Sequence, residues 1–132
     1  MYPDEANLHS ELGEVYVGKH MYPEAIAELR RGEEMMRSRT EYPMYLARLG
    51  SALAQSGDVA GAKKILAELP ADELNDQAYV YAGLGDRDKS IALLTETYRR
   101  HSFPLEAGYA VELDPLRSDP RFTELLHRVG LR

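Results

Sequence analysis

The sequence predicts an all-α protein made of antiparallel helix hairpins stacked side by side and closed by a C-terminal capping helix. Three observations carry that expectation. A signature of small and large residues recurs: Leu12-Gly13-x-x-Tyr16 with Tyr22, Ala25 and Leu29; Leu49-Gly50-x-x-Leu53 with Gly57-Asp58, Ala62 and Leu66; and Ala78-x-x-Tyr81 with Gly85-Asp86, Ser90 and Leu94. Helix starts and stops come in pairs along the chain. No stretch shows the sustained alternation of a strand.

The elements follow in order. Pro3-Asp4-Glu5 reads as a helix start, since proline suits the first turn and acidic side chains favour the positive end of the helix dipole. Leu8, Leu12, Val15 and Tyr16 are expected on the buried face of this helix, and Gly18-Lys19-His20 ends it. Pro23-Glu24 opens the second helix, with Ile26, Leu29, Met35 and Met36 apolar, and Thr40-Glu41-Tyr42-Pro43 marks the next boundary. Leu46, Leu49 and Leu53 then share one face until Gly57. Asp58 is an N-cap for a helix burying Ile65, Leu66 and Leu69 before Pro70. Asp72-Glu73 begins the fifth helix, with Leu74, Ala78 and Tyr81 inward, and Gly83-Leu84-Gly85 ends it. Asp86 repeats the part of Asp58 ahead of a stripe of Ile91, Leu94 and Tyr98. Asp119-Pro120 caps a last helix with Phe122, Leu125, Leu126 and Val129 on one face, expected to cover the open end of the stack.

The small residues explain how the hairpins close. Gly13, Gly50 and Ala78 fall midway along the first helix of each pair, and Ala25, Ala62 and Ser90 follow twelve residues later on the second. Glycine in a helix interior costs roughly 0.5–1 kcal/mol relative to alanine, a cost that close backbone approach offsets.

These residues resemble the tetratricopeptide repeat family, whose repeat is about 34 residues long. The resemblance divides the single domain 1–132 into repeats over about 5–38, 41–70 and 71–102, with a cap over 103–132. It implies a short right-handed superhelix and a protein-interaction function. The family's frequent early tryptophan is absent, and Ser90 stands where alanine is usual. The tail, Leu113-Asp114-Pro115-Leu116-Arg117-Ser118-Asp119-Pro120-Arg121-Phe122, resembles the end of a bacterial subset in which such repeats form the C-terminal part of multidomain signalling proteins. That resemblance implies an attached kinase, winged-helix or cyclase-like domain. The abrupt entry into a helical pattern at the N-terminus likewise reads as a domain cut from a longer chain.

Bulk properties narrow the function. The chain of 132 residues carries a net charge of −6 and no cysteine. An acidic chain is a poor binder of nucleic acid or of anionic membrane, and without thiols there are no disulfides or thiolate metal sites. No apolar run approaches a membrane span, and the N-terminus lacks the basic and apolar regions of a signal peptide. A cytoplasmic setting is expected.

No catalytic constellation emerges. His9, His20, His101 and His127 are scattered, without the spacing of a helical zinc site, and are expected to be solvated or to cap helix ends. Gly83 to Ser90 ends in Lys-Ser like a phosphate loop, but Asp88 stands where glycine is required and no strand precedes it. No Gly-x-Ser-x-Gly elbow is present. Arg30, Arg31, Arg37 and Arg39 interleave with Glu33, Glu34 and Glu41, the pattern of paired helix-surface charges. Neither a cofactor nor a metal is expected, and the chain is read as a non-enzyme.

The repeat geometry puts the functional surface on the concave face built from the first helix of each pair. That face should carry Asn7, Ser10, Glu14 and Val17, then Met44, Ala47, Arg48, Ser51 and Gln55, then Asp72, Asn75, Asp76 and Tyr79. Arg48, Gln55 and Asn75 can hydrogen-bond a peptide backbone, while Met44 and Tyr79 offer apolar contact. The expected partner is a protein, as a peptide or helix in this groove. The alternative is structural self-association, or regulation of a larger signalling protein such as a kinase or transcription regulator. The chain is expected to be a monomer or weak homodimer. Family members that grip chaperone C-terminal carboxylates use a lysine, arginine and asparagine clamp; Ser10, Glu11 and Glu14 stand where it would begin, and Asp72 and Asp76 would oppose a carboxylate.

Overall fold

The computed structural model describes residues 3–108 and 110–130. Its elements are α1 (Pro3–Gly18), α2 (Tyr22–Met36), α3 (Tyr42–Ser56), α4 (Val59–Glu68), α5 (Leu74–Gly83), α6 (Arg87–Arg99), two 3-10 segments (Leu105–Gly108 and Val111–Leu116) and α7 (Pro120–Arg128). Among the described residues there is no strand. The helices pair as α1/α2, α3/α4 and α5/α6, and α3 joins the pairs by packing on α2, α4 and α5.

One turn chemistry is used four times. Gly57 takes a left-handed conformation (φ +97), its N–H donates to the Ala54 carbonyl, and the Asp58 N–H donates back to Leu53. Gly85 (φ +82) and Asp86 repeat this onto Ala82 and Tyr81. Each arrangement satisfies carbonyls orphaned at a helix C-terminus. Asp58 and Asp86 then cap the next helix, accepting from the Gly61 and Lys89 N–H groups. After α1 and α6 the left-handed position is held by a histidine instead: His20 at φ +59 and His101 at φ +58, with the same pair of backbone bonds. Two of the four histidines thus sit at helix ends for a backbone reason.

The hairpins close on small residues. A Cβ built on Gly13 would lie 2.6 Å from Leu29 Cγ and 3.3 Å from the Ala25 carbonyl oxygen. On Gly50 it would lie 2.7 Å from Ile65 Cγ2 and 2.9 Å from Val80 Cγ2, so this glycine lets α3 meet α4 and α5 together. In the third hairpin the twelve-residue offset is a direct bond, because the buried Ser90 hydroxyl donates to the Ala78 carbonyl at 2.8 Å. The serine in place of alanine is therefore a satisfied buried polar group.

The apolar core has two main parts. One gathers Leu29, Leu46, Leu49, Leu53, Ile65 and Val80 around α3. The other gathers Ala78, Leu94, Leu113, Leu116, Phe122 and Leu125 around α5, α6 and the tail. Each fully buried leucine or phenylalanine contributes roughly 1.5–3 kcal/mol. The last helix packs on the third hairpin, as a terminal cap should. Val129 is only half-buried there.

The expected inward face of α1 is corrected by the structure. Leu8, Leu12 and Val15 are 65%, 41% and 51% exposed, whereas Ala6, Ser10, Gly13 and Val17 are buried. The reason is steric. The α1 backbone comes within reach of α2 at Gly32, whose added Cβ would lie 3.1 Å from the Ala6 carbonyl oxygen. Only a small-residue face permits that approach, so the large apolar side chains turn outward.

Candidate functional site

The tail does not simply end the stack. The segment Val111–Leu116 crosses the first helices of the hairpins, touching α5, α1 and α3. Between it and those helices lies a cleft of about 550 Å³. Met44 and Arg48 of α3, Asn75, Asp76 and Tyr79 of α5 and Glu14 of α1 line it, joined by Thr40, Glu41 and Pro43 at the entry to α3, by Glu73, and by Ala110 and Glu112 of the tail.

At the base stands a charge cluster from three separate elements. Arg48 Nε lies 2.6 Å from Glu14 Oε1, and the Arg48 guanidinium donates to Ser10 Oγ at 2.7 Å. Ser10 is fully buried, so it fixes the guanidinium as well as the α1–α3 distance. Glu112 arrives from the tail with 5% of its surface exposed. Its burial, reinforced by the neighbouring Glu14 charge, pushes its carboxyl up to about 8, with Arg48 opposing only in part. Near neutral pH Glu112 therefore keeps its proton and hydrogen-bonds to Glu14. The trio of a cation, an anion and a neutral acid then carries no net charge, which makes its burial tolerable.

A second buried carboxylate serves structure. Glu33 of α2 accepts from Tyr42 Oη at 2.7 Å and from Arg37 Nε at 3.0 Å. Burial and this bond push the Tyr42 phenol up to about 12. The Arg37 of the basic cluster is thus engaged with Glu33 across one helical turn. Tyr42 also ties α2 to the start of α3, beside Glu41 and Pro43 in the cleft wall.

Of the residues expected at the groove, Glu14, Met44, Arg48, Asn75, Asp76 and Tyr79 come together in the cleft, and Ser10 lies behind it bonded to Arg48. Ser51 and Gln55 are elsewhere. Ser51 is buried, accepts from Gln55 Nε2 at 3.2 Å, and faces α5 at Gly83, where an added Cβ would lie 3.0 Å from the Ser51 carbonyl oxygen. Asn7 is exposed and donates to Glu11 one turn along α1. Val17 and Ala47 belong to the core, and Asp72 lines a smaller cavity of about 190 Å³ beside Ser102 and Arg100. Thr40, Glu41, Pro43, Glu73, Ala110 and Glu112 were outside the expectation, because they lie in connections, in the first turn of α3 or in the tail rather than at repeat positions.

Apolar surface from Met44, Pro43 and Tyr79 lies beside the carboxylates of Glu41, Glu73 and Asp76, while the one cleft arginine is already held by Glu14 and Ser10. Asn75 donates to the Ser102 carbonyl, and its amide oxygen is a buried acceptor with no donor among the described residues. Among the described residues no group of three histidines or carboxylates is placed to hold a metal ion. No described helix is long and apolar enough to cross a membrane. Comparison with known family models, with characterised proteins and with solved structures gives no match.

Proposed function

We propose that the chain is a non-catalytic interaction module of the tetratricopeptide type, which docks a peptide segment of a partner protein in the cleft between α1, α3, α5 and the tail. The observation that carries this reading is the cleft itself. All three hairpins and the tail contribute to it, and it combines an apolar strip with carboxylates that have cationic peptide side chains as their natural complement. The peptide therefore carries lysine or arginine beside an apolar anchor for Met44 and Tyr79. A chaperone-tail carboxylate does not suit a site whose arginine is already neutralised.

The test is selection of binders from a random peptide display library against the full chain, followed by titration into Glu41→Lys/Glu73→Lys. Enrichment of basic peptides, and at least about tenfold weaker binding to the double variant, supports the reading. Selection of acidic or uncharged peptides, or binding indifferent to the double variant, overturns it. A bacterial setting and a place inside a larger signalling protein are proposed from the tail's resemblance.

A further inference from the structure

The base of the cleft is one positive charge short. Glu14 of α1 and Glu112 of the tail bring two carboxyl groups to it, and Arg48 of α3 brings a single guanidinium. That guanidinium is committed to Glu14 and to Ser10. Glu112 is left with its hydrogen bond to Glu14. Two carboxyl groups bond to each other only by holding a proton between them, so a proton makes up the missing charge. Glu112 is 5% exposed and lines the cleft, which places this proton at the cavity wall and away from bulk water.

No neighbouring group supplies the charge instead. The elements packed on the tail segment bring Glu14 from α1, Arg48 from α3, and Asp76 and Tyr79 from α5. Glu41 and Glu73 stand in the cleft wall where α3 and α5 begin. On the tail segment itself, Asp114 is exposed and paired with Arg117. Arg48 is thus the one cation among the described residues lining the cleft. The same wall has a second unmet demand, since the buried Asn75 Oδ1 has no donor among the described residues. A positive side chain rich in N–H groups has the chemistry to meet both.

On the reading that this cleft is the peptide site, we propose that a lysine or arginine side chain of the bound peptide takes the place of the proton shared by Glu14 and Glu112, so that binding releases one proton to solvent. The O–H bond of Glu112 breaks and the proton passes to the buffer, while the incoming ammonium or guanidinium keeps its own protons. Two carboxylates then face two cations, and the buried base stays neutral. Burial and the Glu14 charge push the free Glu112 carboxyl up to about 8, so below that pH the free protein holds a proton that the complex has lost. Affinity therefore rises with pH by up to about tenfold per unit and levels off above about 8.

The test is isothermal titration calorimetry of the full chain at pH 7 in PIPES and in Tris, buffers with different heats of ionisation. The probe is a library-selected basic peptide that contains arginine and no histidine, with acetylated and amidated ends. The two heats should differ by the amount that release of close to one proton per peptide requires, and affinity at pH 8 should exceed that at pH 6 by at least about tenfold. Glu112→Gln should lose both the proton release and the pH dependence, and at pH 8 should bind at least about tenfold more weakly than the wild type. Helical content and melting temperature confirm the fold of the variant; if it unfolds, the wild-type proton count decides alone. Peptide binding whose heat is the same in both buffers overturns this proposal and leaves the cleft as the peptide site. Proton release that persists in Glu112→Gln overturns it too. A chain that binds no basic peptide overturns both readings.

Discussion

Replacing Glu112 by glutamine should make the protein less sensitive to alkaline pH. Burial, reinforced by the Glu14 charge, pushes the Glu112 carboxyl up to about 8, whereas the same carboxyl in the unfolded chain loses its proton near its ordinary value of 4.5. Between those limits the folded state holds a proton that the unfolded state has released. Stability therefore falls as pH rises through this window and levels off above it. One fully linked proton corresponds to about 1.4 kcal/mol per pH unit, so the loss from pH 5 to pH 8 is at most about 4 kcal/mol. Against a total stability of about 5–15 kcal/mol, that is a large share. Glutamine keeps the shape, cannot ionise, and can still donate to Glu14. Urea unfolding across pH 5 to 9 reads the difference directly. The two proteins should be similar at pH 5, and above pH 8 the Glu112→Gln variant should be more stable by about 2–4 kcal/mol. Parallel stability profiles would refute the reasoning, because they would mean that Glu112 is ionised in the folded protein. The comparison also reports on the cleft, since the proton sits where the tail meets α1 and α3.

Other substitutions probe separate parts of the account. Gly50→Ala should destabilise by about 1–3 kcal/mol in chemical denaturation, because the new Cβ would collide with both Ile65 and Val80. His101→Gly should stabilise by about 1 kcal/mol, read as a raised melting temperature, because it relieves a left-handed backbone at an exposed position. Asp119 accepts from the Arg121 side chain and backbone N–H, which hold its carboxyl down to about 2. Its contribution is present above its ordinary 3.8 and is lost as pH falls toward 2, so Asp119→Asn should flatten the acid limb of the stability profile.

How much of this was legible in the sequence follows the range of each interaction. The hairpin turns were readable because they are local: Gly57-Asp58 and Gly85-Asp86 encode a left-handed stop and an N-cap in two adjacent residues. The face of α1 was not. Its sequence contains two candidate stripes, one large and apolar, the other of Ala6, Ser10, Gly13 and Val17. Hydrophobicity favours the first, but the distance to α2 selects the second, and that distance is a property of the pair. Arg48, Glu14, Met44, Asn75 and Tyr79 were readable from the repeat, which brings the first helices side by side. Glu112 was not, since it arrives from a tail segment with no repeat register. Ser51 and Gln55 share a helix with Arg48 yet meet α5 at Gly83, where the crossing of the helices closes the groove.

The central claim is that the cleft between α1, α3, α5 and the tail receives a peptide. Amide chemical-shift mapping with a library-selected basic peptide tests it most directly. The account predicts that the largest shifts fall at Glu41, Met44, Arg48, Asn75, Tyr79 and Glu112, with little change at Leu12 and Thr95. Shifts concentrated on α6 and α7 or on the outer face of α1, with the cleft residues unmoved, would contradict it.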